Sequence, residues 1–244
     1  MNSGMYSALS GTIAAMKRVE IISNNLANVN TPGYKKDKMN FESMLAGAVN
    51  PPAVPQGRTA DPVLQKDSVY IDYGAGTVAQ TGNPLDLAID GDGFFVVNTP
   101  EGPAYTRQGN FRVSADGTLV TVDGFPVMGQ GGAIHVQGSK VEVDAKGVVT
   151  VDGTESGTIS IVDFPKPYNL AKSSGAQFLP VDPQVAPQAA SAGINQGHLE
   201  GSNVETISEM VQMIETNRYY EACSKVIKGF DDMAAKAASE IGRL

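Results

Sequence analysis

Three aspartates close together in the chain are the first residues that could do chemistry. Asp86, Asp90 and Asp92 recur at the short spacing of the carboxylates in a calcium-binding loop. An EF-hand also needs a glutamate at its twelfth position and a helix on each side. These aspartates lie instead between short apolar runs typical of strands. We therefore interpret them as turn residues and expect no metal site.

The two histidines and the single cysteine offer few routes to catalysis. His135 falls in a predicted strand and His198 in a predicted connector. Sequence order alone leaves a Ser-His-Asp triad open, but no serine sits in a strand-to-helix elbow. Cys223 falls among the apolar positions of a heptad, where a cysteine is usually a small buried hydrophobe. We expect no catalytic residue.

Two glycine-rich runs suggest phosphate cradles but lack the rest of the pattern. Neither Gly91-Asp92-Gly93 nor residues 129–132 continue as a dinucleotide fingerprint, and no Walker lysine-serine follows. Both are interpreted as hairpin turns, and we expect no cofactor.

The composition excludes several classes of protein. Hydrophobic residues make up 41% of the 244 residues and charged residues 18%, which is enough for a packed core. A net charge of -8 argues against nucleic acid as a partner. No apolar run approaches the roughly 20 residues of a membrane span, so we expect no membrane insertion. The N-terminus also lacks the pattern of a cleavable secretory signal.

Both ends of the chain have the periodicity of helices. In each, apolar residues recur at alternating spacings of three and four, the heptad pattern of a coiled coil. The first helix is predicted to stop at Thr31-Pro32-Gly33, and the second to begin at a Ser202-Asn203 N-cap. The predicted seam residues are Met5, Leu9, Met16, Val19, Leu26, Met213, Tyr220, Ile227, Phe230, Ile241 and Leu244.

The middle of the chain changes to the alternating pattern of strands. Short apolar runs between residues 84 and 165 are separated by Asp-Gly pairs, which are strong hairpin signals. Short strands at this spacing favour a sandwich or an open barrel. The predicted fold class is therefore α+β, with two long terminal helices that pair as a coiled coil and a central all-β domain.

The predicted boundaries follow from these changes of pattern. Residues 1–38 and 203–244 form a terminal helical assembly domain, and residues 84–169 form the β domain. Residues 39–83 and 170–202 are rich in Pro, Gln, Ala and Gly and are predicted to be extended connectors.

The helices themselves suggest assembly. A helix over residues 203–244 would be about 60 Å long, whereas a domain of about 100 residues has a radius of gyration of about 13 Å. Residues 1–34 contain only Lys17, Arg18 and Glu20 as charged residues, and a solvated helix usually carries more. These features favour helices packed by neighbouring subunits. A two-helix hairpin that caps a monomeric β domain is the alternative.

Three blocks of sequence, in order along the chain, resemble a known family. The blocks are residues 24–35, then 83–89, 91–97 and 105–111, and finally 200–204 with 209–227. Together they resemble the flagellar basal-body rod protein family. The family motif falls on Asn24, Asn25, Leu26, Asn28, Thr31, Pro32, Gly33, Tyr34, Ser202, Asn203 and Val204.

The resemblance implies a structural subunit rather than an enzyme. Such proteins leave the cell unfolded through the flagellar type III export apparatus, which would explain the missing secretory signal. They polymerise with themselves and with other rod proteins into a helical rod that crosses the periplasm and transmits motor torque. Terminal helices line the inner tube of that rod, and the β domains lie outside.

Two segments of the sequence and the length of one connector favour the proximal part of the rod. Residues 72–86 and 129–132 look more like proximal-rod members, and the connector after residue 40 is short for a distal-rod member. A distal-rod, hook or hook-associated protein on the same scaffold is the alternative. Asn24, Asn25 and Asn28 are unusual inside a helix, and the resemblance favours hydrogen bonds between subunits as their role.

Overall fold

The computed structural model describes residues 3–39, 69–173, 175–182 and 184–241. Within them the chain forms a helix near each end and short strands between. The helices are α1 (Ser3–Ala27) and α2 (Thr206–Ile241). The strands are β1 (Asp37–Met39), β2 (Val69–Ile71), β3 (Val78–Gln80), β4 (Leu87–Asp90), β5 (Phe94–Thr99), β6 (Gly102–Thr106), β7 (Arg112–Val113), β8 (Leu119–Val120), β9 (Met128–Gly129), β10 (Gly132–Ala133), β11 (Val141–Val143), β12 (Val148–Val151), β13 (Thr154–Thr158), β14 (Ile161–Asp163), β15 (Leu170–Lys172), β16 (Gln177–Pro180), β17 (Gln188–Ala189), β18 (Gly193–Gln196) and β19 (His198–Glu200).

The predicted order of helix, β-rich region and helix is confirmed. The chain divides into two compact units. The first, here the helical unit, contains α1, the β1–β2 pair and α2. The second, here the β unit, contains residues 28–35 and 73–204. Residues 28–35, which follow α1 and were predicted to belong with the terminal helices, thus pack within the β unit.

In the helical unit the two helices run antiparallel. Residue numbers rise along α1 as they fall along α2 at successive contacts. The contacts are Gly4 with Phe230, Gly11 with Cys223, Arg18 with Gln212 and Asn25 with Glu209. A Cβ atom at Gly11 would lie 3.0 Å from the Cys223 sulfur and 2.8 Å from the Tyr219 hydroxyl oxygen. Small residues on α1 therefore allow the two backbones to approach closely.

The face of α1 that meets α2 differs from the predicted seam by one residue. The buried positions are Ala8, Gly11, Ala14, Ala15, Ile22 and Asn25, and all but Ala14 lie one residue before a heptad position. The predicted seam residues Met5, Leu9 and Met16 are 36%, 45% and 59% exposed, and Val19 and Leu26 are half-buried. Larger side chains would hold the helices apart, so the face of small residues packs against α2 instead. Pairing as a coiled coil stays a prediction.

On α2, part of the predicted seam lies on the side that faces α1. Met213, Ile227 and Phe230 are half-buried, whereas Tyr220 remains exposed. Beyond Phe230 the described side chains of α2 are all exposed, since α1 begins opposite that residue. Ile241 is the last residue of the helix, and Leu244 lies outside the described residues.

The start of α2 corrects one prediction. The helix begins at Thr206, three residues after the predicted Ser202-Asn203 cap. The Ser202 hydroxyl accepts a hydrogen bond from the Val204 amide, and the Asn203 side chain donates one to the Gly74 carbonyl. These two side chains therefore hold the last turn of the β unit and do not cap the helix.

The β unit is built on one antiparallel six-stranded sheet. Its strand order is β15-β16-β6-β5-β14-β17, and β11, β12 and β13 form a second, three-stranded sheet. The pairs β4–β18 and β3–β19 form two-stranded ribbons. The turn between β12 and β13 is Asp152-Gly153, where both residues have positive φ, 49° and 87°. Positive φ at both central residues is the requirement of a type I′ hairpin turn.

Both faces of the six-stranded sheet are covered. Because side chains alternate along a strand, Phe94 and Phe95 point to opposite faces. Phe95, Val97 and Ala104 belong to a largely aliphatic core shared with strands outside the sheet. The opposite face carries an aromatic cluster made of Tyr73, Phe94, Tyr105, Phe164, Tyr168 and Phe178.

The predicted connectors contribute to this unit. Residues 170–202 contain five strands, β15 to β19, and residues 73–83 contain β3. These strands have only two to four residues and are separated by turns, so they leave no periodic signal in the sequence. Residues 40–68 of the predicted connector 39–83 lie outside the described residues.

Candidate assembly surface

One side of α1 carries large apolar residues that are exposed in the isolated chain. Residues 3–16 contain no charged side chain. An exposed apolar surface of this kind, without charges to solvate it, marks a site of protein interaction. The α1 stripe consists of Met5, Tyr6, Leu9, Ile13 and Met16.

The longer helix carries two further apolar stripes. Near its start, Ile207 is 80% exposed, and Met210, Val211 and Ile214 are close to half exposed. Farther along, three exposed side chains recur every seven residues, which keeps them on nearly the same side of the helix. They are Tyr219, Val226 and Met233. The Tyr219 hydroxyl lies against Gly11 of α1, but Val226, Met233 and the stripe near the start of α2 give this helix apolar surface beyond its contact with α1.

The motif residues after α1 have a different environment. Tyr34 and Lys35 are buried in the β unit, each 1% exposed. The Gly33 amide donates a hydrogen bond of 2.8 Å to the Glu200 carbonyl, and the Asn203 amide donates one of 3.3 Å to the Tyr34 carbonyl. The segment that follows α1 and the segment that precedes α2 are therefore hydrogen-bonded to each other within the β unit. Gly33 also has φ +66°, and a Cβ there would lie 2.3 Å from the Arg107 carbonyl carbon.

A buried group of charges lies beside this contact. The Lys35 ammonium is 2.6 Å from one Glu200 carboxylate oxygen, and the Arg107 guanidinium is 3.2 Å from the other. These residues occur in the motif blocks, but the sequence pattern did not distinguish them as a group. The neighbouring residues gave no signal, since Lys35 begins a run of four charged residues and Arg107 lies between the polar Thr106 and Gln108.

The Asn25 side chain was expected to form hydrogen bonds between subunits, but it forms them within its own subunit. Its side chain donates a hydrogen bond of 2.9 Å to the Asp37 carbonyl and accepts one of 3.0 Å from the Asp37 amide. The same amide nitrogen is 3.4 Å from a Glu209 carboxylate oxygen. Asn28 accepts a hydrogen bond from the Thr31 hydroxyl. Asn25 is therefore satisfied inside its own subunit.

Replacing Asn25 by alanine is expected to destabilise the helical unit by about 1–3 kcal/mol. The change removes the side chain that bonds the half-buried Asp37 amide and carbonyl, and loss of such hydrogen bonds is costly. Thermal unfolding followed by circular dichroism measures the effect. The exposed Asn30→Ala is the matched control and should unfold like wild type. Equal unfolding of both variants would contradict the structural role of Asn25.

The other residues singled out for chemistry lie apart. Asp86 accepts hydrogen bonds from Thr81 and Asn83, whereas Asp92 pairs with Lys166. Cys223, the single cysteine of the chain, is buried at the α1–α2 contact beside the Tyr219 side chain.

The two histidines have different neighbours. His135 lies 3.2 Å from the Thr118 hydroxyl, and His198 lies 2.9 Å from the Gln196 carbonyl. Across the described ranges, no group of three or more His, Cys, Asp or Glu side chains has the arrangement of a metal site. Neither described helix is long and apolar enough to cross a membrane.

Three family models match successive parts of the chain. The model described as "Flagella basal body rod protein" matches residues 5–35. "Flagellar hook protein FlgE/F/G D1 domain" matches residues 88–151, and "Flagellar basal body rod FlgEFG protein C-terminal" matches residues 195–240. The first and third cover most of α1 and of α2, and the second covers the centre of the β unit.

Similar proteins align over nearly the whole chain. The flagellar basal-body rod protein FlgF of Rhizobium meliloti (strain 1021) is 30% identical over 246 residues, which covers 99% of each chain. FlgF of Caulobacter vibrioides is 30% identical over 248 residues and 100% of each chain. The flagellar basal-body rod protein FlgG of Bacillus subtilis (strain 168) is 34% identical over 258 residues, covering 96% of this chain and 97% of the relative.

Proposed function

Because the chain belongs to the flagellar basal-body rod protein family and is a structural rod subunit, we propose that its place is in the proximal part of the rod. There it polymerises with itself and with other rod proteins into the shaft that crosses the periplasm and carries motor torque. Its contribution is mechanical, and it catalyses no reaction. It reaches the rod through the flagellar type III export apparatus.

The observation that carries the proposal is the exposed apolar surface of the two helices. Leu9, Ile13 and Met16 on α1 and Ile214 on α2 are near half exposed or more in the isolated chain. Burying apolar surface of this kind stabilises an assembly by roughly 25 cal/mol per Å². A rod subunit has many neighbours, so every stripe can be covered.

The seam residues proposed from the sequence fall into two groups. Some contact neighbouring subunits, and the others contact the second helix of the same subunit. Met5, Leu9 and Met16 face neighbouring subunits, together with Tyr220 on α2. Met213, Ile227 and Phe230 instead support the α1–α2 contact within the subunit.

Alignment length supports the proximal position. Alignments with FlgF proteins span 246–248 residues and cover 99–100% of each chain. Alignments with FlgG proteins span 251–260 residues and cover 93–97% of this chain. Identity points the other way, at 30–34% for FlgG against 28–30% for FlgF. We give length more weight, because insertions change how a subunit fits a helical lattice.

Imaging of basal bodies from a strain that lacks this chain tests the position. We expect the rod to stop short at its cell-proximal end, with no distal rod, hook or filament beyond it. A plasmid copy of the gene should restore full-length rods. A rod that lacks only its distal segment would contradict the proximal position. A complete rod, with the chain found only in hook or filament-tip fractions, would favour the hook-associated alternative.

A further inference from the structure

Two of the two-stranded ribbons have one edge that is covered and one that is open. The β1–β2 ribbon belongs to the helical unit, and the β3–β19 ribbon belongs to the β unit. In an antiparallel pair, the backbone groups of successive residues point alternately toward the partner strand and away from it. The register of each ribbon therefore shows which backbone groups are left for a further strand.

In the first ribbon the open edge is β2. The Asp72 amide donates a 2.9 Å hydrogen bond to the Lys36 carbonyl. In the register that this bond continues, the backbone groups of Val69 and Ile71 point away from β1. Among the described residues, no hydrogen bond uses these outward groups. Val69 and Tyr70 are 43% and 51% exposed, so a further strand can reach this edge.

In the second ribbon the open edge is β3. The Gly201 amide donates a 2.8 Å hydrogen bond to the Thr77 carbonyl, so the backbone of Thr77 points toward the partner strand. By alternation, the backbone groups of Val78 and Gln80 point away from β19. Within the part of the chain that the structure describes, these groups take part in no hydrogen bond. All three residues of β3 are exposed.

The opposite edge of each ribbon is covered by the subunit itself. The Asn25 side chain bonds both the amide and the carbonyl of Asp37 on β1. On β19, the Glu200 carbonyl accepts a 2.8 Å hydrogen bond from the Gly33 amide. A covered edge cannot take a further strand, whereas an exposed row of unpaired backbone groups is a template for pairing with another chain. Each ribbon therefore offers β2 or β3 to a partner.

Both open strands also lack the side chains that protect other edges. Charged residues and proline are common guards of an edge strand, and neither β2 nor β3 contains one. By comparison, Lys172 lies in the edge strand β15, Glu155 lies in the edge strand β13, and Pro187 directly precedes the edge strand β17. No side chain of β2 or β3 thus opposes pairing through a charge.

We propose that β2 of one subunit pairs with β3 of a second copy of this chain, as antiparallel strands that join two ribbons into one four-stranded sheet across the subunit boundary. The outward groups match in number, because each strand offers the amide and carbonyl of two residues. The two central residues then lie opposite each other as a large and a small side chain. The register pairs Val69 with Gln80, Tyr70 with Ala79, and Ile71 with Val78.

The pairing is head-to-tail, because β2 and β3 are different surfaces of the chain. A contact between different surfaces continues from copy to copy, whereas pairing of two β2 strands or of two β3 strands closes a twofold dimer. A rod needs a contact that continues. Within one chain the two strands belong to separate sheets. The inference rests on the proposed polymerisation of the chain with itself, and it names one contact of that polymer.

Disulfide cross-linking in purified basal bodies tests the contact. In the proposed register Tyr70 and Ala79 form a non-hydrogen-bonded pair, whose Cα atoms lie about 4.5 Å apart, within the reach of a disulfide. Two differently tagged chains, Tyr70→Cys and Ala79→Cys, are produced in one cell. After mild oxidation we expect a disulfide-linked dimer that carries both tags. Tyr70→Cys produced with Val181→Cys, which replaces another exposed residue of the β unit, is the matched control and should give no dimer.

The outcomes separate this contact from the proposed function. Both tagged chains present in basal bodies without the mixed dimer would overturn the pairing and leave the place in the rod intact. Absence of the wild-type chain from basal bodies would overturn the proposed function and the pairing together. A disulfide within single chains of the double variant Tyr70→Cys/Ala79→Cys, with no dimer in the mixed cells, would show pairing inside one subunit and overturn the proposal.

A proline substitution tests the hydrogen bonds of the contact. Val78→Pro removes an amide that points away from β19, and proline is tolerated on an edge strand in that orientation. We expect the isolated chain to unfold like wild type and at least ~5-fold less subunit in basal bodies, because an intersubunit hydrogen bond is lost. The control is Val122→Pro, since Val122 is exposed and follows Thr121 in a turn closed by the Gly124 amide, where proline fits. Wild-type amounts of Val78→Pro would contradict the pairing.

Discussion

The double variant Leu9→Glu/Ile13→Glu is expected to abolish swimming while the isolated subunit keeps its stability. Both side chains lie in the α1 stripe and are 45% and 51% exposed in the chain. Glutamate has a helix propensity close to that of leucine, so α1 itself is preserved. In a rod, however, each carboxylate would be buried against a neighbour without a partner, and an unpaired buried charge is strongly unfavourable.

Motility in soft agar and the amount of subunit in purified basal bodies measure this effect. We expect no swimming and less than about a tenth of the wild-type amount of subunit, since one buried charge already costs several kcal/mol. Val181→Glu is the matched control, because Val181 is 58% exposed but lies in the β unit. It should swim normally. Normal swimming by the α1 double variant would exclude this stripe as an assembly contact.

Truncation of Phe178 is expected to have the largest effect on the β unit itself. Phe178 is fully buried in β16, with its ring centroid 5.6 Å from that of Phe94 and 5.7 Å from that of Tyr73. Phe178→Ala removes the shared member of these aromatic contacts and leaves a cavity on one face of the sheet. Such a change costs about 3–5 kcal/mol, which should lower the Tm of the unit by about 10 °C.

Calorimetry on the purified chain measures that loss. Val122→Ala is the control, because Val122 is an exposed residue of the same unit, and its truncation should change stability by less than about 0.5 kcal/mol. A Tm within about 2 °C of wild type for Phe178→Ala would show that the aromatic cluster contributes little to folding. It would also weaken the assignment of residues 170–180 to the structural core.

The heptad pattern predicted two terminal helices, but the face of α1 that is buried against α2 lies one residue away from the predicted seam. Periodicity detects large apolar residues, and Leu9 and Met16 stand out for that reason. The contact with α2 uses Ala8, Gly11 and Ala15 instead, whose small side chains carry little hydrophobic signal. A stripe that packs inside the subunit and a stripe that binds a neighbouring subunit have the same apolar periodicity. The sequence alone therefore does not distinguish them.

The aromatic cluster shows a second limit of predicting the core from the sequence. Phe94 falls in a predicted strand, and Phe164 and Tyr168 lie outside the strands but within the predicted β domain. Phe178, by contrast, comes from a segment predicted to be a connector. Strands of two to four residues are too short to show alternation. Only the pairing of β16 with β6 reveals that Phe178 belongs to the core.

By itself, the sequence determined the α+β order of elements, the hairpin turns at Asp-Gly pairs and the membership of a rod family. These features depend on local periodicity, on the conformational freedom of glycine and on short motifs. Only the tertiary structure decided which side of α1 faces outward, and only it brought Lys35, Arg107 and Glu200 together. Those outcomes depend on contacts between residues far apart in the sequence, such as Lys35 and Glu200, 165 positions apart, and Arg18 and Gln212, 194 positions apart. Close packing and charge pairing select such contacts, and neither leaves a pattern in the neighbouring residues.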